Sequence, residues 1–169
     1  MEYGGRISDC AVSDNGDDGI YVNVGGTISG CMAYHNDGCG IVAGRATTVA
    51  DCTAKNNTED GINVTENCLV THCTATENGY SDGDGAGIHA TYNDSRIEGN
   101  NVSGNDRGID VDRSGNFITR NTCSGNSINW TVVAGNACLV VQATTGAAIS
   151  GNSGGTAPGS TDPNANFTY

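Results

Sequence analysis

The sequence predicts an all-β solenoid built from coils of about 21 residues, and three observations carry that reading. The outline CAVSDNGDDGIYV, from Cys10, returns as CMAYHNDGCGIV from Cys31, CTAKNNTEDGINV from Cys52 and CTATENG from Cys73, each 21 residues after the last. Three apolar columns recur with it. Each apolar run is short and bounded by Gly, Asn or Asp, too brief for a helical stripe and suited to a strand, so each coil holds three short strands with tight turns between them.

The first column stands three residues before each repeat cysteine, at Ile7, Ile28, Val49, Val70, Ile97 and Ile118, with Leu139 expected next. Its spacing is 21 except for 27 between Val70 and Ile97, so one coil carries a six-residue insertion. The second column is small: Val12, Ala33, Ala54, Ala75, Val102 and Cys123. The third follows glycine in Gly19-Ile20, Gly40-Ile41, Gly61-Ile62, Gly87-Ile88 and Gly108-Ile109, and Asn129-Trp130 closes it. Alternation in Ile20-Tyr21-Val22 and Ile62-Asn63-Val64 turns the middle residue outward and its neighbours inward.

Coils stack at about 4.8 Å, so equivalent side chains lie over one another. Asn15, Asn36, Asn57, Asn78, Asn105 and Asn126 are therefore expected to form an amide ladder that satisfies turn backbone groups out of reach of water. Cys10, Cys31, Cys52 and Cys73 form a second ladder, taken over by Asn100 and Asn121; Cys39, Cys68 and Cys138 fall off it. In-register side chains point the same way, a poor geometry for bridging, so the eight cysteines are expected as reduced, buried thiols. No C-x₂-C pair occurs and the three histidines are scattered, which argues against zinc.

Composition agrees with one domain over 1–169, with repeat coils over 7–152 and a C-terminal cap or tail over 153–169. Polarity at this level without a pattern would mean disorder; apolar residues on a strict schedule give stacked coils a common core. Seven Lys or Arg against 19 Asp or Glu, a net charge of −12, exclude nucleic acid as a partner, since phosphate binding needs a basic face. No run approaches the roughly 20 apolar residues of a membrane span, and no signal peptide is visible. An acidic, hydroxyl-rich surface suits neutral sugars, or Ca²⁺ that bridges to an anionic polymer. At the start, MEYGGR offers no capping segment, so an open first coil is expected to continue a longer solenoid or to pair with a second copy as a homo-oligomer.

The units GxGIxV and IxxNxxSGN, as in SRIEGNNVSGNDRGIDV (Ser95 to Val111) and RGIDVDRSGNFITRNTCSGN (Arg107 to Asn126), resemble the repeats of the pectate-lyase-like superfamily, of bacterial type. The resemblance covers Ile7 to about Asn152 and implies a right-handed single-stranded parallel β-helix of about seven coils. The closing DPNANFTY looks like tails that cover the last coil in such proteins. The superfamily holds pectate and alginate lyases, polygalacturonases, epimerases, phage tailspikes and chains with no known activity. It thus implies a carbohydrate partner and an extracellular or cell-surface location.

The outward row of the third strand reads Tyr21, Val42, Asn63, His89, Asp110, Thr131, and the row two positions on reads Asn23, Gly44, Thr65, Thr91, Asp112, Val133. His89 then stacks beside Asp110, and Asp110 and Asp112 lie about 7 Å apart on one face, a spacing that can hold an acid and a base with water between. The catalytic assignment is Asp110 as acid or base, Asp112 as the second carboxylate, His89 as proton shuttle and Arg107 as electrostatic stabiliser. The insertion, mostly within Gly79 to Ala86, is expected to overhang this row, with Asp82 and Asp84 as candidate Ca²⁺ ligands. On a non-catalytic reading Tyr21, Tyr80 and Tyr92 stack sugar rings beside Asn63. The paired Asp, Gly-His-Gly and Arg-Ile-Lys motifs of polygalacturonases are absent. A lyase of pectate-lyase type needs an outward basic residue, whereas Arg107 is expected in the turn before its strand, and Lys55 and Arg120 on other faces. The expected function is binding of a polysaccharide or glycan along the acidic lateral face. The alternatives are a polysaccharide hydrolase or lyase using Asp110 and His89, and a structural solenoid belonging to a larger surface protein or tailspike.

Overall fold

The computed structural model describes residues 4–79, 85–142 and 162–169. Over these the chain winds as a solenoid of three parallel sheets, with no helix among the described residues. The first sheet has seven strands, from Gly5–Ser8 through Gly26–Ser29, Thr48–Ala50, Leu69–Thr71, Arg96–Glu98 and Phe117–Thr119 to Ala137–Cys138. The second runs from Ala11–Ser13 to Thr122–Ser124 and gains two further strands from the C-terminal region. The third stacks Ile20–Val22, Ile41–Ala43, Ile62–Val64, Ala86–Ala90, Arg107–Val111 and Ile128–Val132. The chain thus makes about six turns, and equivalent columns meet in register: Ile20 pairs Ile41, Ile41 pairs Ile62, Ile62 pairs Ile88 and Ile88 pairs Ile109.

The inward columns form one continuous core. Ile28, Val49, Val70, Ile97 and Ile118 line it from the first sheet, Ala33, Ala54, Ala75, Val102 and Cys123 from the second, and Val22, Ala43, Val64, Ala90 and Val111 from the third. At each corner one residue adopts positive φ immediately before a ladder residue. Asp14, His35, Asn56, Glu77, Gly104 and Gly125 do so before the asparagine ladder, and Asp9, Gly30, Asp51, His72, Gly99 and Arg120 before the cysteine ladder. Left-handed backbone turns the chain sharply there, and Gly, Asn and Asp tolerate it best. Two of the three histidines, His35 and His72, are corner residues of this kind.

The ladders close the corners. The Asn36 side-chain amide donates to Asn57 Oδ1 at 2.9 Å, Asn57 to Asn78 at 2.9 Å, and Asn78 to Asn105 at 2.9 Å across the insertion. Each acceptor oxygen also takes a backbone N–H, as from Asn36 to Asn57 at 3.2 Å. The glycine before each third-sheet strand answers to the same ladder: a Cβ at Gly40 would stand 2.5 Å from Asn57 Nδ2, and one at Gly61 2.7 Å from Asn78 Nδ2. Cys31 N–H donates to Cys52 Sγ at 3.4 Å, and the row passes from Cys73 to Asn100 and Asn121. A third, mixed ladder at the remaining corner runs through Thr47, Cys68, Ser95, Asn116 and Asn136.

All eight cysteines are free thiols; seven are wholly or partly buried, while Cys10 is exposed on the first coil. Cys68 belongs to the mixed ladder, and Cys138, not Leu139, pairs with Ile118. The last coil is one residue short, since Asn116 meets Asn136 20 residues on. The described part of the tail, residues 162–169, joins the second sheet. Its strand Asn166–Thr168 inserts between Thr122–Ser124 and Val140–Gln142, and Asn166 takes the rung after Asn121 at 2.9 Å. The rest of the expected cap, through residue 161, lies outside the described residues.

Asn57→Ala removes the acceptor for two Asn36 donors and the donor to Ala33 O, and is expected to cost roughly 3 kcal/mol or more. Asn15→Ala, at an exposed rung, is expected to cost under about 1 kcal/mol. Urea unfolding of the two variants checks the difference.

Candidate functional site

The third sheet carries the row Tyr21, Val42, Asn63, His89, Asp110, Thr131 in direct register across its six strands. The insertion divides around this sheet. Ile62 meets Ile88, 26 residues on, and Val70 meets Ile97, 27 on, so five extra residues precede the His89 strand and one follows it, in the turn that holds Tyr92. The regular coil therefore returns on both sides of His89.

His89 is held at both ring nitrogens. Nδ1 lies 2.9 Å from Asp60 Oδ2, and Nε2 lies 3.2 Å from Asp112 Oδ2. Burial is the largest single influence on the ring and opposes its charge. The hydrogen bond and charge of Asp60, the charge of Asp110 and the hydrogen bond to Asp112 together outweigh it, and raise the pKa from 6.5 to about 9. The ring is thus an imidazolium at neutral pH and donates from both nitrogens.

Asp60 organises the site and is absent from the sequence-based set. Its Oδ2 accepts from His89 and, at 2.7 Å, from Asn63 Nδ2; its Oδ1 accepts the Ala86 backbone N–H at 2.7 Å, where the chain returns from the insertion. In sequence Asp60 stands just before Gly61, in the pre-glycine column with Asp18, Cys39, Ala86, Arg107 and Ile128. That column marks it as a corner residue, and the small Ala86 on the next coil leaves its carboxylate open to His89. Asn63, expected to face a ligand, instead turns to Asp60.

Asp110 lies in the row beside His89 but is buried, 1% exposed. Arg107 caps it, Nη1 to Oδ2 at 2.7 Å, while Asp110 Oδ1 is buried without a hydrogen-bond partner among the described residues. Arg107 is the first residue of its strand, paired with Ala86 and Ile128, rather than part of the preceding turn. Asp112 is open, its side chain 51% exposed. Lys55 pairs with Glu77, and Arg96 and Arg120 with Glu98, away from this row. Tyr21 and Tyr92 are 50% and 53% exposed. Tyr80, Asp82 and Asp84 lie outside the described residues.

Within the cluster Asp112 is exposed, while Asp60, His89 and Asp110 are largely buried. A groove of about 460 Å³ follows the neighbouring corner along Glu77, Gly79, Gly104 and Asp106 and contains none of these residues.

In metal-free buffer the His89 ring is expected to titrate near pH 9 by NMR, and Asp60→Asn is expected to lower that midpoint by at least about one pH unit. The raised folded pKa stabilises the fold fully below pH 6.5, and this contribution, on the order of 3 kcal/mol, is lost as pH rises through 9. Urea midpoints of wild type and His89→Gln across this window check it.

A family model described as the right-handed β-helix region matches residues 2–95. No curated protein matches in sequence. Among solved structures, pectate lyase Pel9A superposes with a TM-score of 0.64 at 20% identity, over 79% of this chain and 44% of the enzyme. The chain thus spans less than half the length of that enzyme, and what the two share is the fold. With the family match reaching over more than half of the sequence and the coils continuing beyond it in the same register, this chain belongs to the right-handed β-helix family.

Proposed function

We propose that this protein binds a polysaccharide laid along the outward row of the third sheet. The observation that carries the reading is the register of that row: six strands at about 4.8 Å present a lane of roughly 24 Å. The exposed Tyr21 stands at one end as a stacking surface, and the His89 cluster lies towards the other. The superposition with a pectate lyase supports a sugar polymer as the class of ligand, and supports an extracellular or cell-surface setting. The net charge of −12 favours a neutral polymer, or an anionic one met through a divalent cation.

A second reading has its own observation. A charged histidine between Asp60 and the open Asp112 is a proton donor placed on the same lane, as acid–base cleavage of a glycan requires.

Calorimetry across a panel of neutral and anionic polysaccharides, with and without Ca²⁺, tests both. Tyr21→Ala is expected to weaken binding about tenfold, the loss of one aromatic platform. Reducing ends or unsaturated uronates released by wild type but not by His89→Gln would establish the second reading. Absence of binding across the panel would overturn the first and leave a structural solenoid.

A further inference from the structure

We infer that His89, Asp110 and Asp112 form a binding site for one divalent transition-metal ion. The histidines are scattered in the sequence, but the register brings one of them between two carboxylates, and a ligand atom from each of the three residues lies within 4.8 Å of the others. Ligands on opposite sides of an ion bound at about 2.2 Å are about 4.4 Å apart, so small side-chain rotations close the set.

An independent observation points the same way. Asp110 is almost wholly buried, and one of its oxygens is satisfied by Arg107; Oδ1 has no partner among the described residues. A buried carboxylate oxygen left without a hydrogen bond is costly, and a cation supplies what it lacks. Asp60 completes the arrangement: by holding Nδ1 it fixes the ring and directs Nε2 towards Asp112, the role a second carboxylate plays behind a metal-bound imidazole. Charge agrees as well. Asp60, Asp110 and Asp112 carry three carboxylates against the one guanidinium of Arg107, which pairs with Asp110, and with the ring neutral the remaining deficit of two matches a divalent ion.

One imidazole with two carboxylates suits Zn²⁺, Co²⁺ or Mn²⁺ better than Ca²⁺, which prefers oxygen ligands alone. The open Asp112 leaves coordination positions facing solvent, where a sugar hydroxyl pair or carboxylate can reach. A second grouping, Asp18, Cys39 and Glu59, is a weaker ligand set, because burial raises the Cys39 thiol pKa and its sulfur already donates to Glu59.

The site does not depend on the glycan reading, and it is tested without sugar. Chelator-stripped protein is titrated with Zn²⁺ by calorimetry, and with Co²⁺ while the histidine ring resonances are followed by NMR. Expected are one ion per chain, a selective change at His89 and none at His35 or His72. Affinity should fall more than tenfold in His89→Gln and Asp112→Asn, and 10- to 100-fold in Asp60→Asn. The wild-type NMR result stands even if a variant folds poorly. No stoichiometric binding, an unchanged His89 signal, or affinity unaltered in His89→Gln would overturn the site and leave only diffuse binding to an acidic surface. Metal binding without glycan binding, or the reverse, separates this inference from the proposed function.

Discussion

Every coil is constrained by a backbone N–H at its corner that finds its acceptor on the side chain of the next coil. Because the acceptor is an amide oxygen shared with the amide above it, the corner tolerates little displacement along or across the axis. The asparagines, the positive-φ residues ahead of them and the glycine column against which they pack are three consequences of one geometry. A chain with 26 glycines and few aromatics can have a defined core because the corners, rather than large side chains, set the distance between sheets.

The same constraint decides where irregularity is allowed. Asn78 reaches Asn105 at the same 2.9 Å as its neighbours reach theirs, although the coil between them carries the insertion. Extra residues are therefore confined to segments between ladders, before and after the His89 strand, and the strand itself keeps its register. A site built there sits on a strand paired in register on both edges. This is how Asp60, His89 and Asp112, drawn from three successive coils of the third face, meet within hydrogen-bonding distance.

Backbone placement was legible in the sequence because period translates directly into register. The outward row from Tyr21 to Thr131 and the succession of Cys73 by Asn100 and Asn121 follow from counting alone. Counting fails where the period changes: the last coil loses a residue, so Cys138 replaces Leu139, and the tail strand enters the second sheet between two others. Side-chain direction was less legible. Asp110 occupies a position that alternation turns outward yet is buried and paired with Arg107, three residues before it on the same strand. Asp60 belongs to another column and reaches the row only through the length of its side chain. The corner role of His35 and His72 is concealed because Asp, Asn, Glu, Gly and Arg fill equivalent places.

The charges of the cluster are not needed by the coil that carries them. At equivalent places in the row other coils present Tyr21, Val42 and Thr131, and these strands pair as regularly as those of His89 and Asp110. Burying ionised groups costs free energy that packed apolar or hydroxyl side chains avoid, and a buried ion pair stabilises a fold weakly at best. Asp110 sharpens the point, since one of its oxygens is satisfied by Arg107 and the other by nothing among the described residues. A solenoid whose remaining corners leave so few groups unpaired gives no structural reason for this exception. Asp110 belongs to the most charged part of the row, grouped with His89 and the exposed Asp112, so a partner for its unmet oxygen is sought in a bound cation or ligand.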